Sequence, residues 1–68
     1  MLNKAVKDNL LREGIHKDAV RVLDRRGSCM FDINSTRDVC FELIDAGVKF
    51  SCEQSILDDG LYTIRILN

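Results

Sequence analysis

The stretch Ser35-Thr36-Arg37-Asp38-Val39-Cys40-Phe41-Glu42-Leu43-Ile44-Asp45-Ala46-Gly47-Val48-Lys49-Phe50-Ser51-Cys52 decides the fold. Its first part reads as a helix. Asn34 or Ser35 can cap the N-terminus, and Ser35 to Asp38 approximates a capping box, with Asp38 favourable near the positive end of the dipole. Gly47 can take the left-handed conformation that ends a helix, and Val48 can then touch Leu43. Val39, Cys40, Phe41, Leu43, Ile44 and Ala46 cover more than half of the helical circumference, which leaves Asp38, Glu42 and Asp45 as the polar strip. A helix this apolar is expected to be covered on two sides. A sheet is one cover, and the N-terminal segment or a second subunit is the other.

Beyond Gly47 the period changes. Val48, Phe50 and Cys52 alternate with Lys49, Ser51 and Glu53, the pattern of a strand with one buried face. Leu61 to Ile66 alternates in the same way. A two-residue Asp59-Gly60 turn sets the two apolar faces on opposite sides. A three-residue loop, Asp58-Asp59-Gly60, pairs Cys52 with Ile66 and Ile56 with Tyr62, so the faces agree. The expected element is therefore a hairpin with that three-residue loop.

Upstream, Leu2, Val6 and Leu10 recur every four residues and predict a helix over 3–13, which Gly14 interrupts. The segment His16 to Arg26 reads in two ways. As a helix it places Ile15, Ala19, Val22 and Leu23 on one side and Lys17, Asp18, Arg21, Asp24 and Arg25 on the other, with Gly27 as the stop. As a strand it turns at Arg26-Gly27 and pairs with Cys29 to Ile33. The helical reading covers more residues and has both breakers, so it is preferred. The predicted order is α-α-β-α-β-β: an α+β domain with an N-terminal helix pair (about 1–27) followed by a β-α-β-β unit (about 28–68) that forms a three-stranded sheet. The helix between the first two strands serves as a crossover.

Sixty-eight residues make one domain with a small core, a size that often recruits a partner subunit. The chain is 46% hydrophobic and 31% charged, without proline, which excludes a disordered segment. No apolar run approaches the roughly 20 residues of a membrane helix, and no long apolar core of a signal peptide follows Met1, so a cytoplasmic protein is expected. Cys29, Cys40 and Cys52 each lie in apolar runs and read as reduced core thiols. With His16 they lack the paired-cysteine knuckle of a structural zinc site, so no metal or other cofactor is expected.

Nothing in the chain has the pattern of catalysis. There is one histidine, no glycine-rich phosphate loop and no metalloprotease motif, and Asp58-Asp59 before Gly60 is turn chemistry. Binding is the expected activity, without an enzyme function or a small-molecule substrate. The net charge of −1 is polarised: residues 1–27 carry seven Lys or Arg against four acids, and residues 28–68 carry three against seven. The acidic set Asp38, Glu42, Asp45 and Glu53 is the candidate surface for a larger host protein. A regulatory or inhibitory protein of the phage or mobile-element type, forming a homodimer, is the leading expectation.

The alternative lies in the basic half. Asn9 to Leu23 resembles helix-turn-helix spacing, with Gly14 in the turn and Ile15, Val20 and Leu23 at core offsets. The resemblance implies a small DNA-binding regulator. Its candidate nucleic-acid-binding residues are His16, Lys17, Arg21, Arg25 and Arg26, with Lys4, Lys7 and Arg12 on phosphate. A sheet-based RNA platform is disfavoured, because Phe31, Phe50 and Tyr62 are the only candidate stacking aromatics and the first two are expected in the core.

Overall fold

The computed structural model describes residues 2–56 and 60–67. Its elements are α1 (Lys4–Arg12), α2 (Lys17–Arg26), β1 (Ser28–Asp32), α3 (Ile33–Asp45), β2 (Phe50–Gln54) and β3 (Leu61–Ile66). The predicted α+β order is therefore observed, and 17–26 is helical rather than extended. No helix among the described residues is long and apolar enough to cross a membrane.

Local chemistry sets each helix end. Asn3 caps α1 by accepting the Val6 N–H at 2.9 Å. At the other end the Ile15 N–H reaches the Leu10 carbonyl and the Gly14 N–H reaches that of Leu11, the paired bonds of a Schellman turn. Helix α3 ends in the same way. Val48 donates to Leu43 and Gly47 to Ile44, both at 3.0 Å, with Gly47 at φ +71° as its role in the turn requires.

The start of α3 differs from the expectation. The cap is Asp32, whose Oδ1 accepts the Ser35 N–H at 2.8 Å, rather than Asn34 or Ser35. Ile33 is consequently the first helical residue instead of the last strand residue. The Thr36 hydroxyl donates to the Phe31 carbonyl at 3.3 Å, which ties the first turn of α3 to β1 in the buried interior. Asp32 binds at the shortest reach from the end of β1, so the strand passes into the helix without a loop.

The sheet order is β1-β3-β2, with both pairings antiparallel. β1 and β2 thus run parallel to each other with β3 inserted between them, and α3 is the crossover that connects them. The hairpin register differs from the expected one by two residues: Cys52 faces Ile64 and Gln54 faces Tyr62, while the Ser55 N–H donates to the Leu61 carbonyl. The connection is longer than the three-residue turn. The proposed Asp58-Asp59 turn lies outside the described residues. A shift of two preserves the side-chain faces, because the pleat has period two. Phe50 and Cys52 therefore still share a face with Ile64 and Ile66.

That face, with Cys29 and Phe31 of β1, meets the helices. Ile64 is fully buried and packs with Leu10, Leu23, Val39 and Leu43, which are also fully buried. Helices α2 and α3 pack on β1 and β3, and α1 makes its main contacts with α2 and α3. The opposite sheet face carries Met30, Ser51, Glu53, Thr63 and Arg65, and among the described residues a helix reaches it only at the β1 edge, where Val22 and Arg26 of α2 approach Met30 and Thr63. Truncation of Leu43 to alanine removes a fully buried side chain, at a cost of about 2–5 kcal/mol, a large share of the stability of a small domain. We expect Leu43→Ala to lose its cooperative thermal transition by circular dichroism. Asp32→Ala should lower the urea midpoint, whereas Asn34→Ala should leave it in place.

Candidate functional site

Helix α1 is a ridge with a groove on each flank. Its side at Lys4, Lys7, Asp8 and Leu11 faces α2 across a groove of about 510 Å³, bordered by Lys17, Arg21, Asp24 and Arg25 and floored by Val20. Its other side, at Asn3, Ala5, Val6 and Asn9, faces Glu42, Asp45 and Ala46 of α3 across a smaller groove of about 270 Å³. The charge polarity of the sequence is thereby converted into a basic groove and an acidic groove on opposite flanks of one helix.

In the basic groove the acids are engaged with neighbours. Asp8 accepts from the Lys4 ammonium at 2.9 Å, and this hydrogen bond holds the carboxyl below its ordinary range while raising the Lys4 ammonium. Asp24 accepts the Leu2 N–H at 2.8 Å and lies 3.5 Å from the Lys7 ammonium. The Leu2 bond is the largest reason that Asp24 lies below the usual carboxylate range. This contact fastens the N-terminal end of the chain to α2. Asp18, on the outer border, pairs loosely with Arg21 at 3.6 Å.

Lys17, Arg21 and Arg25 recur every four residues and form one exposed row along α2. The other two basic candidates stand apart. His16 is the N-cap of α2: its Nδ1 accepts the Asp18 N–H at 3.1 Å. Arg26 lies on the side of α2 that turns toward the sheet, with Val22, Cys29 and Met30. Ile15, Val20 and Leu23, the core offsets of the helix-turn-helix spacing, are all buried.

The acidic candidates also divide. Asp38, Glu42 and Asp45 lie along α3 on its α1 flank. Glu53 lies on the sheet face away from α3, in a shallow hollow with Met30, Ser51, Thr63 and Arg65. The period-two alternation of β2 had already separated Glu53 from the face of Cys52; only the location of the helices shows that this separates it from α3.

The sequence pointed to an extra apolar face on α3 without placing its residues among the candidate site residues. Thr36, Val39 and Leu43 turn inward and α1 covers one flank, yet Ile33, Phe41 and Ile44 remain 57%, 60% and 61% exposed. The excess of apolar circumference had suggested a second cover, and α1 supplies only part of it. Arg37 stands in the same row and approaches Asp38 at 3.9 Å, a loose surface pair.

All three cysteines are free thiols. Cys29 and Cys40 are half-buried and Cys52 is exposed, which departs from the expectation of three core thiols. Burial first, and the neighbouring Cys52 thiol second, push Cys40 up to about 11. Burial also raises Cys29. No group of three or more His, Cys, Asp or Glu among the described residues is placed to hold a metal ion.

No protein-family model matches the chain, and no curated protein or solved structure matches it significantly.

Asp24→Asn should weaken the charge-assisted bond to Leu2 and the contact with Lys7, lowering stability at neutral pH by about 1 kcal/mol. Because folding depresses the Asp24 carboxyl, its contribution is complete above the ordinary aspartate range, near pH 4, and is lost as the pH falls through the folded-state value. Urea unfolding of wild type and Asp24→Asn should therefore differ at pH 7 and converge in acid. In a thiol-labelling time course followed by mass spectrometry at pH 8, Cys52 should react first and Cys40 more slowly, since thiolate and access both govern the rate.

Proposed function

We propose that this chain is a non-catalytic docking protein that binds a larger protein through the outward side of α3. The observation that carries the reading is the exposed row Ile33, Phe41 and Ile44 on a well-formed helix whose inward side is fully occupied by the core. Three large apolar side chains on one exposed side, with Arg37 among them, are costly to leave in water, and exposed apolar surface of this kind marks an interaction surface. Aromatic anchors carry much of the energy in such surfaces, which makes Phe41 the central residue.

The border of the row defines the partner's chemistry. Asp38 and Asp45 flank Phe41 on one side, with Glu42 next to them on the α1 flank. A partner that offers an apolar pocket rimmed by Lys or Arg satisfies both features, and the rim charges set orientation and association rate more than affinity. A regulatory or inhibitory role follows from this reading, since a domain of this size acts by covering part of a larger protein. Glu53 belongs to another face and takes no part in it.

The test is a photo-reactive phenylalanine analogue at position 41, activated in the native host. The expected product is an adduct heavier than two copies of the 7.7 kDa chain, which identifies a different protein. It should be lost when Asp38, Glu42 and Asp45 are all changed to Lys. An adduct of twice the chain mass would make the partner a second copy and the protein a homodimer. Absence of any adduct, with the folded protein confirmed by circular dichroism, would remove the docking assignment.

A further inference from the structure

A different face of the molecule is a groove bordered by basic side chains. We propose that the groove between α1 and α2 holds the phosphate backbone of a nucleic acid, without reading its sequence. Five cations border it: Lys4 and Lys7 on α1, and Lys17, Arg21 and Arg25 on α2. The two acids inside it, Asp8 and Asp24, are already engaged by Lys4, by Lys7 and by the Leu2 N–H. Asp18 on the rim takes up part of the Arg21 charge at 3.6 Å. Among the described residues, Lys17 and Arg25 form no ion pair, and both are exposed. The groove therefore presents net positive charge that the fold does not consume.

The spacing of these cations favours a polyphosphate over an acidic peptide. Positions four apart on a helix are about 6 Å apart along its axis, so Lys17, Arg21 and Arg25 form a straight, regular row. A nucleic-acid strand offers an equally regular row of charges, and duplex DNA carries one per roughly 1.7 Å of its axis. The planar guanidinium forks of Arg21 and Arg25 match phosphate oxygens in bidentate geometry. Leu11 and Val20 supply the floor. With no aromatic side chain lining the groove, there is no platform for base stacking, and binding is confined to the backbone. The row lies on α2 and the docking row of Phe41 lies on α3, so the two activities are separable.

The experiment is fluorescence anisotropy of the full chain with a labelled random-sequence duplex. Between about 50 and 200 mM salt the Kd should rise roughly 12- to 40-fold, as expected for about two to three phosphate contacts at a slope of about −0.9 per contact. Arg21→Ala with Arg25→Ala should weaken binding and reduce the salt slope by about 2. Arg26→Ala and Phe41→Asp, which alter other faces, should leave both unchanged. These side chains are exposed, and circular dichroism checks that each variant is folded. No binding at the lower salt, or a slope unchanged in the double variant, overturns the proposal. Polyglutamate that competes as well as DNA at equal charge would also overturn it, by assigning the groove to an acidic protein.

Discussion

The insertion of β3 between β1 and β2 is the constraint on which the rest of the structure depends. It makes Ile64 the centre of the sheet, with Cys29 on one side and Cys52 on the other, and Ile64 is fully buried. Because β1 and β2 must both be antiparallel to β3, they are parallel to each other, and α3 has to cross the sheet to connect them. The crossing lays Val39 and Leu43 over Ile64. α2 contributes Leu23 to the same cluster, and α1 then closes it with Leu10. A core with ten buried apolar side chains among the described residues has little reserve, and each helix end is fastened by its own cap.

This packing order explains why the molecule is electrically two-sided. α1 rests on α2 and α3, and its flanks become grooves whose character is set by those two helices. α2 brings Lys17, Arg21 and Arg25, and α3 brings Glu42 and Asp45. A net charge of −1 thus conceals two local fields of opposite sign. Local charge governs what a surface attracts, because fields between exposed groups are screened over about 10 Å at ordinary ionic strength. An acidic overall composition is therefore compatible with a basic groove.

Much of the fold was legible along the chain. The three helices have 3.6-residue periodicity and glycine stops at Gly14, Gly27 and Gly47, and the strands have period two. The misses were local competitions between good alternatives. Asp32, Asn34 and Ser35 are all capable caps, and the hydrogen bond of Thr36 to Phe31 selects the earliest by holding the helix against the strand. The hairpin register could slide by two without exposing Phe50 or Cys52, so patterning was silent on the choice. In the candidate sites, the row Lys17, Arg21 and Arg25 followed from helical spacing alone. The separation of Arg26, and of Glu53, from their supposed companions did not, since it depends on which face meets the sheet.

The sequence by itself determined the order of every element except the second, which reads as helix or strand, together with the polarity of charge between the two halves and which residues of each helix and strand share a face. These are consequences of local geometry and of the number of charges in each segment. Tertiary structure alone decided that β3 lies in the middle, that α1 divides the surface into two grooves, and that Ile33, Phe41 and Ile44 stay in water. The physical reason is that a period assigns side chains to a face without saying what covers it. The cover is set by contacts between residues distant in sequence, and in this chain α1 shields only one flank of α3.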